Sequence, residues 1–338
     1  MSGSGRGKET WRRLADGELQ WEALRARARI LEGIRRFFRD RGFLEVDTPA
    51  AQGYPNIDPN VFPVRVEDPA GSAYRLYLHT SPELAMKKLL AAGSGDIFFL
   101  GKVYRDREGS PLHAPEFTML EWYRVSGGTG VVMREVEELL AALAREGTGR
   151  DTLTRGGGGI PLSAPWPRWE LDDAFRELLG AGMTDEAGLR EALSRKGSRP
   201  GRDESWEDIF FRALLEGIEP AAAARGKCFL TGYPAALGAM ARRRTGRPDV
   251  AERFEGFVGG VELVNGYEEL TDAGEQEERL ALLAERHRRR TGQELPVDPG
   301  FLEALRRGLP PCAGAALGVD RLVMLLLGND DIADGMYR

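Results

Sequence analysis

The segment from Glu116 to Val125 has the alternating pattern of a β-strand, yet it carries charged and aromatic side chains among its apolar positions. Because side chains alternate along a strand, Phe117, Glu121 and Tyr123 share one face. That face offers an aromatic ring, a carboxylate and a phenol in a row, which suits contact with a ligand. The alternative is an edge strand whose Glu121 is simply solvated, and the pattern alone does not exclude it.

A second group of acidic residues lies in RFEGFVGGVELVNGYEELTD, residues 253–272. Gly259-Gly260 suits a hairpin turn, and a hairpin centred just before Gly259 places Glu255 and Glu262 directly opposite each other. Adjacent carboxylates persist when a cation, a basic residue or a raised pKa resolves their repulsion. Such a pair on a rigid hairpin suits Mg²⁺ that also holds nucleotide phosphates. The alternative is a pair of carboxylates that point apart into water.

The third candidate is Arg321, which lies in the apolar segment GAALGVDRLVMLLLG, residues 314–328. An arginine in such surroundings needs an anion, a carboxylate or an aromatic face as its partner. A structural salt bridge is the simpler alternative. The basic runs at 242–244 and 288–290, by contrast, are typical of solvated faces.

Helices and strands are predicted around these segments from the spacing of apolar residues. Helices are predicted at residues 21–40, 82–92, 131–145, 273–290 and 298–308, with a last, very apolar helix entered from residues 314–328. Strands are predicted at residues 43–46, 74–80, 96–106, 115–125, 227–232 and 254–264. The strands form antiparallel pairs with helices alongside, so the predicted class is α+β with an antiparallel sheet. No glycine-rich phosphate loop opens a helix.

The periphery of the chain is predicted to be less regular. Residues 1–20 are polar and glycine-rich at the start, which indicates a flexible tail. Residues 146–225 read as an insertion with two parts: a glycine-rich loop whose four consecutive glycines are not expected in a stable element, and two or three short amphipathic helices.

Bulk properties narrow the possible classes of protein. The 338 residues are 42% hydrophobic, enough for a packed core, and no run of 18 apolar residues or signal peptide is seen, so a cytoplasmic location is expected. Cys228 and Cys312 have no metal-binding spacing and are expected to be buried and free. The net charge is -6 and only six of the 47 basic residues are lysine, so arginine abundance is weak evidence for RNA binding.

Three segments resemble, in order, the three motifs of class II aminoacyl-tRNA synthetases. They are GFLEVDTP (42–49), the hairpin from VYRDRE to EFTMLEWYR (103–124) and GVDRL (318–322). Within that family the chain is most similar to lysyl-tRNA synthetases and to their truncated paralogues that ligate (R)-β-lysine to elongation factor P. The resemblance covers residues 21–338, only loosely at 146–225, and is carried most specifically by HTSPELAMKKLL, PEFTMLEWYR, VELVNGYEELTD and GAALGVDRLVMLLLG.

The resemblance implies one catalytic domain over residues 21–338, with a six- or seven-stranded antiparallel sheet flanked by helices. It also implies a homodimer formed through the first motif. About 20 residues precede the first predicted helix, so no anticodon-binding domain is expected. A tRNA substrate is therefore not expected either.

The resemblance also implies an ATP site. Arg105 and Arg321 would be the catalytic residues at the α-phosphate and over the adenine, Phe117 would stack on the other adenine face, and Glu255 and Glu262 would hold Mg²⁺. The complete set of implied ATP-binding residues is Arg105, Asp106, Arg107, Glu108, His113, Phe117, Glu262, Leu263, Gly318 and Arg321.

An amino-acid pocket is implied beside the ATP site. Its residues would be Ser81, Pro82, Glu83, Glu121, Tyr123, Asn265, Glu269 and Ala316. The several acidic groups suit a substrate with two ammonium groups. Ala316 stands where lysyl-tRNA synthetases have glycine and the elongation-factor ligases have alanine, and its methyl group would crowd an α-amino group and favour the β-amino isomer.

Two positions depart from the family pattern. The family's Arg-x-Glu is here Arg105-Asp106-Arg107, so the adenine contact normally made by that glutamate can shift to Glu108. Ala114 replaces the asparagine of His-Asn-Pro-Glu-Phe, which removes one side-chain contact to ATP.

The resemblance implies an ATP- and Mg²⁺-dependent, AMP-forming ligase. It would activate (R)-β-lysine or lysine as an aminoacyl adenylate and transfer it to a lysine ε-amine of elongation factor P, without a membrane partner. The alternatives are lysine-type aminoacylation of another acceptor, such as a tRNA or a lipid, and a catalytically inactive paralogue that acts as a binding module.

Overall fold

A computed structural model describes residues 9–58, 60–67, 76–155 and 158–337. Its α-helices are α1 (Thr10–Ala15), α2 (Trp21–Arg39), α3 (Glu83–Ala91), α4 (Thr129–Thr148), α5 (Leu171–Leu179), α6 (Glu186–Arg195), α7 (Trp206–Ala213), α8 (Glu219–Ala224), α9 (Ala273–Thr291), α10 (Pro299–Gly308) and α11 (Val319–Leu326). A π-helical turn spans Leu214–Ile218, and 3₁₀ turns span Ala235–Leu237 and Ile332–Asp334. The predicted helices at 21–40, 82–92, 131–145, 273–290 and 298–308 are confirmed, with ends that differ by no more than three residues.

The strands in chain order are β1 (Leu44–Glu45), β2 (Ala51–Gln52), β3 (Val64–Val66), β4 (Leu76–Leu78), β5 (Ile97–Tyr104), β6 (Glu116–Val125), β7 (Thr152–Arg155), β8 (Gly158–Pro161), β9 (Arg168–Glu170), β10 (Lys227–Pro234), β11 (Arg243–Arg244), β12 (Arg247–Val258), β13 (Val261–Glu268) and β14 (Cys312–Gly318). β2, β4 and β3 form a small sheet, and β7 pairs with β8. Residues 74 and 75 of the predicted strand at 74–80 lie outside the described residues.

The main sheet has the order β1-β5-β6-β14-β13-β12-β10-β9, and β11 pairs with β12. Its neighbours are antiparallel except at the ends, where β1 with β5 and β9 with β10 are parallel. The prediction of an α+β fold with an antiparallel sheet flanked by helices is confirmed. In the described part of the chain the sheet has nine strands rather than six or seven, because the short strands β1, β9 and β11 join six central antiparallel ones.

Strand β6 separates two apolar clusters. Leu120 and Trp122 are fully buried in the cluster formed with α2, α4 and α11. Met119 and Tyr123 belong to the cluster on the opposite side, which includes residues of α3 and α10. The predicted alternation along this strand is therefore confirmed, and Glu121 lies on the same side as Met119 and Tyr123.

The central strand β14 was not predicted from the sequence. Its residues, CAGAALG, are mostly small and have low strand propensity. Hydrogen bonding to β6 on one side and β13 on the other holds this segment extended. Tertiary pairing thus overrides local preference at the middle of the sheet.

Two peripheral predictions are wrong. Thr10–Ala15 forms α1 rather than a flexible tail, with Arg13 in a 2.5 Å ion pair to Asp334 and Leu19 buried. Residues 1–8 of the predicted tail lie outside the described residues. Gly158–Pro161 forms β8 against β7, so two of the four consecutive glycines belong to a strand after all, because its partner supplies the pairing.

The insertion has an apolar cluster of its own, built by α5, α6, α7 and the following turns against β10. The predicted short amphipathic helices are confirmed. Cys228 and Cys312 are buried and free, as predicted. None of the helices in the described ranges combines the length and apolar content that crossing a bilayer would need.

Candidate active site

Two adjoining pockets open on the side of the sheet that carries Glu121. They share Arg105, Met119, Asn265 and Ala316 as lining residues. Ala316 on β14 pairs with Glu121 on β6 and with Asn265 on β13, so these three positions lie side by side across three strands. The two pockets are therefore parts of one cavity, an acidic pocket and a second pocket that contains Arg321.

Glu121 lies at the floor of the acidic pocket and is 3% exposed. One carboxylate oxygen accepts a hydrogen bond from the Ser81 hydroxyl and the other from the Tyr123 phenol, each at 2.7 Å. Ser81 also accepts from the backbone N–H of Glu83 at 3.0 Å, where α3 begins. The start of α3 and strand β6 together fix the orientation of this carboxylate.

Two further carboxylates are joined by a buried lysine. Lys87 on α3 contacts Glu269 at 2.5 Å and Glu83 at 2.7 Å, and it is 1% exposed. The Tyr267 phenol donates a short hydrogen bond to Glu83. Four carboxylates line the pocket, those of Glu83, Glu121, Glu269 and Asp58, and three positive groups oppose them, those of Arg105, Arg253 and the supporting Lys87. The small excess of negative charge, together with Arg105 on the lining, suits a ligand that carries both ammonium groups and a carboxylate.

Burial sets the protonation behaviour of these groups. It raises the pKa of Glu121 to about 7, with the charge of Glu83 adding to the shift. It raises the pKa of Glu269 to about 8, against the opposing effect of Lys87. Burial disfavours the charged form of Lys87, yet the carboxylates of Glu269 and Glu83 outweigh it and the lysine pKa is raised. The empty pocket therefore holds a proton near neutral pH that a bound cation can replace.

The walls of the acidic pocket include residues that the sequence did not indicate. One wall comes from the loop before β3 and contributes Asn56, Ile57, Asp58 and Val61. The other comes from the loop after β10, residues 237–241. Both segments lack helical or strand periodicity, so no local signal in the sequence could have placed them at the site.

Arg105 lies between the two pockets. Its guanidinium is 5.1 Å from the ring centroid of Phe117, and its Nε donates to the Thr80 carbonyl at 3.4 Å. Phe117 lines the second pocket and is half-buried. The ring is thus placed where it could stack on a planar ligand, with a positive charge beside it.

Arg321 enters the second pocket from the start of α11. It donates to the Glu262 carbonyl at 2.7 Å and the Leu112 carbonyl at 3.2 Å, and its Nη2 lies 2.6 Å from His113 Nε2. The Glu262 carboxylate is farther away, at 3.5 Å. The closest partners of Arg321 are neutral groups, which hold the guanidinium in place without neutralising it. The salt bridge considered as the alternative is present only as the longer contact to the Glu262 carboxylate.

His113 is held in the neutral form that this contact requires. Burial and the adjacent charge of Arg321 lower its pKa. Its Nδ1 lies 2.8 Å from the Ser110 hydroxyl. His113 thereby orients Arg321 and does not compete with it for an anion.

The predicted register of the β12–β13 hairpin is wrong. Gly259 and Gly260 do form the turn, with φ of 58° and 76°. The turn is, however, centred between Gly259 and Gly260, so Val258 pairs with Val261 and Phe257 with Glu262. A bulge between Gly256 and Phe257 shifts the pairing by one further residue, so Glu255 pairs with Asn265 and the two glutamates are not opposite each other. A side chain at Gly256 would lie within 2.4 Å of Val264, which explains the glycine at the bulge.

Glu255 lies behind the pocket wall rather than on it. Its oxygens accept from the Tyr233 phenol and the Arg253 guanidinium, each at 2.6 Å. Burial raises its pKa to about 7, Arg253 opposes the shift, and the charge of Glu262 adds to it. The two carboxylates are thus close enough to interact. No group of three or more potential metal ligands occurs among the residues described.

Most of the predicted site residues meet at this cavity. The structure brings together Ser81, Glu83, Arg105, Glu108, His113, Phe117, Glu121, Tyr123, Glu262, Leu263, Asn265, Glu269, Ala316, Gly318 and Arg321. Pro82, Asp106 and Arg107 do not line it. Asp106 and Arg107 are exposed, and Arg107 stacks on Phe62 with its guanidinium 4.3 Å from the ring centroid. Ala114 is buried and lines the second pocket beside Glu108.

Comparison with known proteins identifies the family. Residues 6–337 match the family model "tRNA synthetases class II (D, K and N)", so the chain belongs to the class II synthetase family. Ligases of this class generally use ATP and Mg²⁺.

Three relatives define a narrower group within this family. The chain is 37% identical over 314 residues to the elongation factor P–(R)-β-lysine ligase homolog of Aquifex aeolicus, which covers 91% of this chain and 97% of that protein. It is 40% identical over 315 residues to the elongation factor P–(R)-β-lysine ligase of Salmonella gallinarum, covering 91% and 92%. A third relative, from Salmonella paratyphi B, is 39% identical over the same length. Within the class II synthetases, the chain therefore belongs to the group of these ligases and their homologues.

Proposed function

We propose that this protein activates (R)-β-lysine or lysine with ATP and transfers the aminoacyl group to a lysine ε-amine of elongation factor P. The observation that supports it most is the acidic pocket with Glu83, Glu121 and Glu269, which is continuous with a pocket containing Arg105 and Arg321. A diamino acid offers ammonium groups to such a pocket and a carboxylate to an arginine. The names of the relatives favour the same substrate and acceptor.

In the first step the substrate carboxylate attacks the α-phosphorus of ATP, and pyrophosphate leaves. Arg105 lines both pockets, so its guanidinium can hold the carboxylate and the α-phosphate together. Arg321 adds a second fixed positive charge where negative charge develops. Phe117 stacks on the adenine. In the second step the acceptor amine attacks the carbonyl of the adenylate, AMP leaves, and the amine loses a proton.

The site suits Mg²⁺ because this ion is commonly bound by one or two protein carboxylates together with phosphate oxygens of the nucleotide. Of the two carboxylates predicted to hold it, Glu262 lines the second pocket and would contact the ion directly, whereas Glu255 lies behind the pocket wall and would act through its charge. When bound, the ion neutralises charge on the phosphates. The Tyr233 phenol and the Arg253 guanidinium hold Glu255 in this position.

The preference between the two isomers depends on Ala316. Ala316 lies between Glu121 and Asn265 and lines both pockets, which supports a position of its methyl group beside the reacting end of the substrate. An amino group on C2 would meet this methyl group, whereas one on C3 would lie deeper. We expect Ala316→Gly to improve the use of α-lysine relative to (R)-β-lysine, measured as the ratio of kcat/KM in pyrophosphate exchange.

The proposed partners are elongation factor P and a second copy of this chain, without tRNA. The support for a dimer is the exposure of Leu44 on β1, in the segment that resembles the first motif. Light scattering on the purified protein would measure the mass directly. A monomeric mass would contradict the dimer.

ATP–pyrophosphate exchange with (R)-β-lysine and with α-lysine tests the activation step. Incubation with elongation factor P, followed by mass spectrometry, tests the transfer. Exchange without a mass increase would point to another acceptor, such as a tRNA or a lipid. Absence of ATP binding in calorimetry would instead indicate an inactive binding module.

A further inference from the structure

The loop that forms one wall of the acidic pocket contains an unusual side chain. Asn56 is 8% exposed, and neither its Oδ1 nor its Nδ2 has a hydrogen-bond partner among the described residues. The side chain lines the same cavity as Glu83, Glu121 and Glu269. A residue that lines the cavity therefore carries a buried carboxamide whose donors and acceptor are unused.

An unpaired buried amide destabilises the empty protein, and native structures contain few of them. The local turn does not account for this one. Asp58 builds that turn, because its Oδ1 accepts from the backbone N–H groups of Asn60 and Val61 at 2.6 and 3.2 Å. Asn56 makes no such contact, so an apolar residue would serve the fold at least as well.

The position of Asn56 indicates which part of a ligand it meets. It lines the acidic pocket but not the pocket that contains Arg321. Asp58, two residues further on, also lines the acidic pocket. Burial lowers the pKa of Arg105 and the nearby carboxylate of Asp58 opposes that shift, so this loop passes close to Arg105. Asn56 therefore belongs to the end of the cavity where Arg105 would hold the substrate carboxylate.

We infer that Asn56 is a specificity-determining residue that accepts a hydrogen bond from the amino group nearest the substrate carboxylate. A neutral carbonyl suits this place, because it can accept from an ammonium group without repelling the neighbouring carboxylate. The three glutamates then remain available for the distal ammonium group. This inference rests on the proposed function, since it assigns one residue to one amino group of the diamino acid.

The test compares ligands that differ in that amino group. Calorimetry measures the Kd of (R)-β-lysine, α-lysine and 6-aminohexanoate, which keeps the carboxylate and the terminal ammonium group but lacks the second amino group. For Asn56→Ala we expect the Kd of the preferred diamino acid to rise about tenfold, as for one lost hydrogen bond to a charged group, and the Kd of 6-aminohexanoate to stay unchanged. Asn56→Leu, close in size, should show the same selective loss.

Two controls separate recognition from folding. Thr48→Val removes a different buried polar group, a hydroxyl that has no partner among the described residues and lies outside both pockets, and it should change neither Kd. The unfolding temperature of empty Asn56→Leu should equal or exceed that of the wild type, while its increase on adding the diamino acid should shrink.

The outcomes distinguish this inference from the proposed function. Wild-type protein that binds the diamino acid while Asn56→Ala and Asn56→Leu bind it equally well overturns the role of Asn56 alone. Equal losses for the diamino acid and 6-aminohexanoate overturn it too, since the contact would not be to the second amino group. Wild-type protein that binds neither diamino acid refutes the proposed function, and this inference with it.

Discussion

The two ends of the cavity hold their charged groups in opposite ways. At the acidic end the carboxylates are held by other side chains, namely the hydroxyl groups of Ser81, Tyr123 and Tyr267 and the ammonium group of Lys87. At the other end the arginines are held mainly by backbone carbonyls and a neutral histidine. The acidic end thus tunes protonation, whereas the basic end keeps its full charge. Changes at each end should therefore affect different steps.

The largest effect is expected at the basic end. Arg321→Met removes a fixed positive charge from the place where the transition state becomes more negative, so kcat for pyrophosphate exchange should fall about 10²- to 10³-fold. The Kd of the amino acid, measured by calorimetry, should stay unchanged. The matched control is Arg306→Met, an exposed arginine of α10 paired with Glu277. A large loss of amino-acid affinity in Arg321→Met would show that the two ends are not separable.

The converse change is Glu121→Gln at the acidic end. It keeps the shape and part of the hydrogen bonding but removes a buried charge, so kcat/KM for the diamino acid should fall about 100-fold, equivalent to roughly 2.7 kcal/mol. The Kd of ATP should not change. Glu116→Gln, which changes an exposed glutamate at the start of the same strand, is the control. Near-normal exchange by Glu121→Gln would remove this carboxylate from the site.

The pH dependence of amino-acid binding should also distinguish the acidic end of the cavity from the basic end. The pKa of Glu121 is raised to about 7 and that of Glu269 to about 8, so the empty pocket is partly protonated below these values. A dicationic amino acid binds the ionised form, so its Kd should fall between pH 6 and 8, by up to about tenfold per pH unit for each proton released. Calorimetry in buffers of different ionisation enthalpy measures that release, and Glu121→Gln should reduce it. A Kd that does not change over this range would contradict the prediction.

Glu121 and Glu269 should affect the stability of the fold in the opposite direction: ionisation that strengthens amino-acid binding lowers the free energy of unfolding. A carboxyl whose pKa is raised in the folded state binds protons more tightly than in the unfolded chain. Its contribution to the free energy of unfolding is therefore present below the unfolded pKa and is lost as the pH rises through about 7 to 8. The diamino acid should offset this loss, which thermal unfolding with and without the ligand would reveal.

The smallest effect is expected from restoring a family residue in the second pocket. Ala114→Asn supplies an additional hydrogen-bonding side chain there, and the Kd of ATP should fall about three- to tenfold, as for one neutral hydrogen bond. The Kd of the amino acid should stay the same. The unfolding temperature serves as the control, because Ala114 is buried and the larger side chain must fit. Weaker ATP binding at an unchanged unfolding temperature would contradict the prediction.

Features set by neighbouring residues in the sequence could be predicted, whereas features set by contacts between distant segments could not. The face that carries Phe117, Glu121 and Tyr123 was predictable, because alternation is a property of any strand. The register of Glu255 and Glu262 was not, because it depends on where the turn at Gly259-Gly260 is centred and on a bulge beside Gly256, and the pattern of residues fixes neither. β14 and the loop with Asn56 carry no local signal at all, and only their neighbours give them a place in the cavity.

The buried Lys87 also determines which glutamates of the acidic pocket can be substituted during evolution. Replacing Glu83 or Glu269 would leave the buried Lys87 ammonium group with one carboxylate partner instead of two. Such a substitution would lower the stability of the fold, so it is selected against whether or not the protein binds a substrate. Glu121 is tied only to hydroxyl groups, and its replacement leaves no stranded charge. A related protein that evolves a different amino-acid preference can therefore change Glu121 first, while Glu83 and Glu269 are retained as partners of Lys87.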